Sequence, residues 1–212
     1  MNSPSDSPAD SHYFTESPST ASKRQQFSVV VAGRELILTA DAGVFSQHGL
    51  DKGTAVLLDA MEKENPVALA PGSVLCDLGC GSGVIALALA VLYPECTILA
   101  VDVNERAREL CAENAHNNKL SNITVAEPSD VDESTELAAI WSNPPIRIGK
   151  DALHELLLTW LSRLIPSGQA RLVVSKNLGA DSLTGWLNNQ GFPTNKIASS
   201  KGFRILAVQS HQ

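Results

Sequence analysis

Val74-Leu75-Cys76-Asp77-Leu78-Gly79-Cys80-Gly81-Ser82-Gly83 decides the fold. An apolar run carries an acid near its end, a glycine-rich turn follows, and the apolar stretch Val84 to Leu92 opens a helix. Glycine reaches positive φ at little steric cost and lets a ligand come close to the backbone. A strand, a glycine turn and a helix N-terminus in that order build a nucleotide-type site. The dinucleotide fingerprint is G-x-G-x-x-G, whereas the spacing here is Gly79-x-Gly81-x-Gly83. Asp77 stands ahead of the turn, where its charge repels a pyrophosphate and suits a cationic or ammonium-bearing ligand. Both features disfavour a nicotinamide-dependent oxidoreductase. The next strand, Thr97 to Val101, leads into Asp102, an acid placed to take the two hydroxyls of a ribose.

Working outward, strands and helices alternate, which predicts an α/β fold with a mostly parallel sheet and helices on both faces. Strands are expected near 73–77, 97–101, 122–126, 137–141 and 169–175, and helices near 84–92, 104–118, 151–164 and 180–190. Asn104 reads as the cap of the second of these helices. Asn195 to Ala198 and Phe203 to Val208, around Ser199 to Gly202, read as a hairpin that adds an antiparallel edge strand. The sheet then has seven strands in a Rossmann-like arrangement. Upstream, Phe27–Val31 and Glu35–Thr39 flank Ala32-Gly33-Arg34 as a second hairpin. A glycine-punctuated loop from Gly43 leads into a helix from Thr54 to Lys63, with Ala55, Leu58 and Met61 on one side. Pro66, Pro71 and Gly72 break the chain before the glycine-loop strand.

The strand Leu137 to Trp141 runs into Ser142-Asn143-Pro144-Pro145-Ile146. Two prolines fix two φ angles and remove two backbone donors, and the first pushes Asn143 out of the helical region. The loop is stiff, with a polar amide at its start and free carbonyls beyond. It suits an amino group that must be held by acceptors.

The 212 residues predict one domain with a short appended segment. Residues 1–26 are rich in Ser, Pro, Thr and Asp, lack apolar periodicity, and read as a disordered tail without the features of a secretory signal. Residues 27–212 form the folded domain, with hairpin, loop and helix over 27–70 and the sheet core over 71–212. The longest apolar run is far short of the roughly 20 residues a membrane helix needs, so no membrane partner and a cytoplasmic location are expected. The four cysteines, Cys76, Cys80, Cys96 and Cys111, form no C-x-x-C pair and no histidine cluster joins them. Buried reduced thiols, and no metal, are expected. His48 and His154 lack a carboxylate or cysteine at a telling spacing and read as structural. The net charge of −7 argues against a nucleic-acid partner, but it divides unevenly. Residues 1–142 carry 8 basic and 20 acidic residues, or −12, and residues 143–212 carry 8 basic and 3 acidic, or +5. A local anionic contact on the second part is compatible with this asymmetry.

An acid, three spaced glycines and a second acid at the next strand end resemble the class I S-adenosylmethionine methyltransferases. Gly43-Val44-Phe45-Ser46, Leu50-Asp51-x-Gly53-Thr54, Ser142-Asn143-Pro144-Pro145-Ile146-Arg147-x-Gly149-Lys150 and Lys201-Gly202-Phe203-Arg204 narrow the likeness to the methyltransferase small domain. Within it, the bacterial 16S ribosomal RNA guanine-N2 methyltransferases of the RsmC type are most similar. The resemblance covers roughly residues 27–209. Better-known members carry a second, degenerate methyltransferase-like domain ahead of this one, and here only the tail and hairpin stand in its place.

The resemblance implies S-adenosylmethionine as cofactor, and ribosomal RNA or the small ribosomal subunit as partner. It implies transfer of a methyl group to a guanine exocyclic amine. Asn143, Pro144 and Pro145 would form the catalytic loop, with Asn143 also near the cofactor. Asp77, Gly79, Gly81 and Gly83 would hold the methionine end, Asp102 the ribose, and Asp130 the adenine, with Glu127, Ser129 and Asp132 as rivals for that last contact. Phe45 and Ile146 would pack on the base. Arg147, Lys150 and Arg204 are candidates for phosphate contacts; Lys176 ends the fifth strand, on the side where a cleft would lie, and is not counted among the site residues. Gly53 and Thr54 either close over the methionine end or simply start a helix. The competing readings are a methyltransferase acting on a small molecule or a protein amide nitrogen, and a non-catalytic module that binds S-adenosylmethionine.

Overall fold

The computed structural model describes residues 21–44, 49–63 and 69–211, with the backbone alone at Arg147. The expectations placed on residues 1–20, on Phe45 and His48, and on the chain break at Pro66 lie outside the described residues.

The chain enters through an antiparallel hairpin, β1 (Gln25–Val31) and β2 (Arg34–Ala40). Ala32 and Gly33 turn it with φ of 49° and 77°, the primed geometry that matches strand twist. The strand begins two residues ahead of the sequence expectation. The residues just before it are tied down, because the Ser22 hydroxyl and the Lys23 N–H donate to Asp41. Helix α1 (Lys52–Lys63) follows and also starts two residues early. It buries Val56, Leu57 and Leu58, while the expected Ala55 and Met61 are only half-buried.

The glycine-loop strand is β3 (Val74–Leu78), followed by α2 (Val84–Leu92), β4 (Thr97–Val101), α3 (Glu105–Asn117) and β5 (Ile123–Ala126). The Asn143 strand is β6 (Leu137–Ser142), followed by α4 (Lys150–Leu161), β7 (Leu164–Ser175), α5 (Ala180–Asn189), β8 (Thr194–Ser200) and β9 (Phe203–Gln209). The seven-stranded sheet has the order β5-β4-β3-β6-β7-β9-β8, with only the β9 pairings antiparallel. This is the Rossmann-like arrangement the alternation predicts.

The alternation of strand side chains sorts the core into two layers. Leu75, Ile98 and Ala100 face α1, α2 and the hairpin, and Cys76, Leu78, Leu99 and Val101 face α4 and α5. Helix α2 is apolar on every side because it is covered on every side, by the sheet and by Val29, Val31, Leu36 and Leu38 of the hairpin. All four cysteines are free and buried. Among the described residues no helix is long and apolar enough to cross a membrane.

Two further boundaries differ from expectation. Helix α4 stops at Leu161 because Leu164, Ile165 and Pro166 already belong to β7. Pro166 disfavours a helical Ile165, and the sheet register shifts there, between the Leu137–Leu164 and Ala139–Gln169 pairs. The β8–β9 turn is two residues, not four: Lys201 and Gly202 carry φ of 48° and 84°.

Strands β3, β4 and β5 run outward in one direction, and β6 returns to the other side of β3. The C-terminal ends of β3 and β6 therefore border the switch point, where open α/β sheets place their ligands. The glycine loop leaves one of these ends and the Asn143 loop leaves the other.

Candidate active site

The glycine loop is held by backbone hydrogen bonds and by two side chains, Asp102 and Asn114. The N–H groups of Gly79 and Cys80 both donate to the Val101 carbonyl at 2.9 Å. Gly79, Gly81 and Gly83 have φ of 76°, 54° and 88°, a region that disfavours side chains. They differ in why a side chain is excluded. A Cβ on Gly83 would lie 2.6 Å from Cys111 Sγ, so this glycine lets α2 start close against α3. A Cβ on Gly79 would meet only Pro145 Cδ, at 4.0 Å, which brings the two loops to within contact distance.

Asp77 is fully buried beneath this loop. Its Oδ2 accepts the Ala86 N–H of α2 at 2.8 Å, while Oδ1 has no partner. Burial pushes its carboxyl up to about 8, against the Ala86 hydrogen bond and with a further push from Asp102. A buried acceptor left open is costly and is a place where a donor or cation binds well. Asp102 is half-buried at the end of β4 and braces the loop. It accepts Gly81 N–H on Oδ2 and Asn104 N–H on Oδ1, each at 2.9 Å. Burial raises its pKa, opposed by those N–H groups and by Arg108. Each oxygen keeps a lone pair for a further donor. Asn104 caps α3 as expected, accepting Ala107 N–H at 3.2 Å.

Asp130 lies on a short 3-10 turn (Pro128–Asp130) just past β5, on the same edge. Two of its rivals are engaged: Glu127 pairs with Arg108 at 3.0 Å, and Asp132 accepts the Ser134 N–H and hydroxyl at 2.8 and 2.6 Å. Asp130 is exposed, with no side-chain partner among the described residues.

At the second loop, the Ser142 hydroxyl donates to the Leu78 carbonyl at 2.6 Å and locks the end of β6 to the end of β3. The Asn143 amide nitrogen donates to Asp51 Oδ2 at 2.9 Å and to Thr54 Oγ1 at 3.1 Å. A carboxylate only accepts, so it dictates which end of the amide faces it. The amide oxygen is turned away and takes no hydrogen bond from the described residues. The loop carbonyls are less free than the sequence suggests. Pro144 O accepts the Ile146 N–H at 2.8 Å across Pro145, whose φ and ψ of −74° and 75° make an inverse γ-turn. Pro145 O accepts Ile148 N–H at 3.1 Å. Each keeps one lone pair.

The other candidates differ in exposure and partners. Ile146 is half-buried and rests on the α4–α5 layer of the core. Lys150 is exposed at the start of α4, and Lys176 is exposed at the end of β7. The Arg204 guanidinium pairs with Asp181 of α5. His154 stacks on Trp186 with ring centroids 3.5 Å apart, the structural role its isolation predicts. Gly53 and Thr54 do start a helix, but one whose first turn touches Asn143.

Three residues have roles that the sequence reading did not assign. Asp51 is the cap of α1, accepting Gly53 and Thr54 N–H groups at 2.7 and 3.1 Å, and the pattern Asp-x-Gly-Thr before an apolar run is a signal for it. Phe203 packs beside Gly53, its Cε1 3.0 Å from where a Cβ would stand. Asn114 is buried and ties the hairpin to the glycine loop, bonding both Thr39 backbone groups and the Ser82 carbonyl; nothing in its surrounding sequence marks it. Among the described residues no cluster of His, Cys, Asp or Glu could hold a metal.

Comparison with known proteins sets this geometry in a family. The methyltransferase small domain matches residues 35–207. The "Uncharacterized protein YbxB" of Bacillus subtilis (strain 168) is 35% identical over 201 residues, covering 93% of this chain and 98% of that protein. The "Ribosomal RNA small subunit methyltransferase C" of Pseudomonas aeruginosa (strain LESB58) is 34% identical over 189 residues. That alignment covers 87% of this chain but 54% of the relative, so the chain spans about half the length of these longer proteins. Among solved structures, the T. thermophilus 16S rRNA N2 G1207 methyltransferase (RsmC), in complex with AdoMet and guanosine, superposes with a TM-score of 0.73. It is 20% identical and covers 92% of this chain and 52% of its own, a likeness of fold. With a matching family spanning most of the chain and the glycine and Asn-Pro-Pro loops side by side at the switch point, this protein belongs to the methyltransferase small domain family.

Proposed function

We propose that this chain is an S-adenosylmethionine-dependent N-methyltransferase whose acceptor is the exocyclic amine of a guanine in small-subunit ribosomal RNA. The observation that carries the reading is the state of Asn143. Its amide nitrogen is engaged by Asp51 and Thr54, so its oxygen is the group offered to a substrate. A fixed acceptor beside the glycine loop suits an amino group. Relatives named for small-subunit ribosomal RNA, and a structural neighbour holding AdoMet and guanosine, support the cofactor and the base.

The residues present fit the cofactor. Asp77 Oδ1 is an open acceptor for its ammonium group, the Gly79–Gly83 backbone cradles the methionine end, and Asp102 has lone pairs left for the ribose hydroxyls. Asp130 takes the adenine. Bound there, S-adenosylmethionine supplies a methyl group already activated on a sulfonium, so the protein needs no nucleophile of its own. Asn143 Oδ1 and the remaining lone pair of Pro144 O accept the two amine hydrogens and turn the nitrogen lone pair toward the methyl carbon. Those two acceptors would hold the amine for the methyl transfer that the bound cofactor supplies, and the surplus amine proton would leave to solvent. Orientation of this kind is worth roughly 7–11 kcal/mol of the barrier. Leaving its stack costs the base a few kcal/mol. Phe45 and Ile146 steady the base, and Arg147 and Lys150 contact phosphates. Such a substrate implies a cytoplasmic site of action.

Asn143→Ala tests this directly. Methyl transfer to small ribosomal subunits lacking the modification is expected to fall about a hundredfold or more, with S-adenosylmethionine affinity retained. Transfer at the wild-type rate would remove the proposed role, and joint loss of binding and transfer would make Asn143 a structural turn residue.

A further inference from the structure

We infer that Asp51 is the positioning residue of this site: its carboxylate, at the cap of α1, sets the orientation of the Asn143 amide and strengthens its oxygen as an acceptor. The inference rests on the reading of Asn143 given above and extends it to a residue 92 positions away in the chain. A single oxygen of Asp51 takes three donors, Gly53 N–H at 2.7 Å, Thr54 N–H at 3.1 Å and Asn143 Nδ2 at 2.9 Å. The first two fix the carboxylate to the backbone of a helix. The third fixes the amide to the carboxylate. The second acceptor, Thr54 Oγ1, belongs to the same helical turn and is buried.

The space between these groups is closed. A Cβ on Gly53 would stand 3.0 Å from Asp51 Oδ2, 3.0 Å from Phe203 Cε1 and 3.2 Å from Asn143 Nδ2, so only glycine fits without moving them. The prolines hold the backbone of Asn143, but they leave its side-chain torsions open. The amide would flip or swing without a partner that only accepts. The contact also polarises the amide. A carboxylate drawing on the N–H₂ end leaves more negative charge on the carbonyl oxygen. The amine nitrogen gains positive charge as the methyl group arrives, so that oxygen binds the transition state better than the ground state.

The test separates the cap of α1 from the grip on Asn143. Asp51→Ser keeps an N-cap side chain but is too short to reach the amide, whereas Asp51→Asn keeps an oxygen where all three donors meet. Transfer to small ribosomal subunits is measured per bound S-adenosylmethionine, alongside Tm and the ¹⁵N-resolved side-chain N–H₂ signal of Asn143, which its absence in Asn143→Ala identifies. Asp51→Ser is expected to keep Tm and cofactor affinity, lose about tenfold or more in kcat and shift the Asn143 signal. Asp51→Asn is expected to leave that signal in place and stay within about threefold of wild-type kcat, the factor reflecting the lost charge. Wild-type kcat per bound cofactor in Asp51→Ser, loss of cofactor binding in it, or equal losses in both variants would each overturn the inference. An active Asn143→Ala protein would instead overturn the reading of Asn143. An inactive Asn143→Ala beside a fully active Asp51→Ser would overturn the Asp51 inference alone.

Discussion

The two loops at the switch point are built on opposite principles. The glycine loop is shaped by its own backbone and by the neighbouring strand, with Gly79 and Cys80 bonding to Val101 and with Asp77 bonding to the start of the following helix. The Asn143 loop takes its backbone from two prolines and the orientation of its amide from a distant helix cap. The glycine loop draws its partners from the neighbouring strand end and from α2 and α3, and the Asn143 loop is completed by a helix cap 92 positions away. On the proposed function, damage to the first is expected to destabilise the protein together with its cofactor site, and damage to the second to spare the fold and remove turnover.

A matched pair of substitutions breaks this comparison most sharply. Gly83→Ala forces a side chain to positive φ and to within 2.6 Å of Cys111 Sγ. It is expected to cost about 2–4 kcal/mol of stability and to weaken S-adenosylmethionine binding, as denaturant titration and calorimetry would show. Gly53→Ala, in the first turn of α1, has helix propensity in its favour by about 1 kcal/mol. Its stability is expected to stay near wild type while kcat falls about tenfold through a displaced Asn143 amide. Equal stability losses in the two variants would erase the distinction between the loops.

A smaller effect sharpens the glycine-loop side. The folded-state pKa of Asp77, about 8, lies above the ordinary carboxylate value, so the folded protein holds this proton more tightly than the unfolded chain. The contribution to stability is fully present below about pH 4, declines as pH rises, and is lost once pH passes about 8. Asp77→Asn removes the titration. Without ligand, this variant is expected to be more stable than wild type at pH 9, on the order of 1–3 kcal/mol, and to bind S-adenosylmethionine more weakly. Denaturant midpoints across pH would show a flatter profile, and an unchanged one would contradict the buried-acid account. The smallest effect is expected at exposed Asp130. Asp130→Asn should raise the S-adenosylmethionine Kd by a few-fold, about 1 kcal/mol, with stability unchanged, whereas Asp132→Asn should leave Kd alone.

Much of the molecule was legible in advance because its signals are local. Alternating apolar runs placed the seven strands and their helices, the Asp77 to Gly83 stretch placed the glycine loop between β3 and α2, and Asn104 announced itself as a cap. Where reading failed, the cause was long-range or competing. Pro166 and the pull of β6 ended α4 three residues early, at a point where the apolar periodicity continues. Arg204 looks like a free cation until Asp181 of α5 is folded against it. The Pro144 carbonyl looks open until the γ-turn brings the Ile146 N–H to it.

The amino-acid sequence by itself determined the α/β class, the glycine loop and the stiffness of the Asn-Pro-Pro backbone, because φ restrictions and apolar periodicity act over a few neighbouring residues. Only the tertiary structure decided which end of the Asn143 amide is offered, which acid is left buried with an open oxygen, and which charges cancel. Those outcomes depend on donors and acceptors far apart in the chain meeting at hydrogen-bond distance, and no local propensity encodes such a meeting.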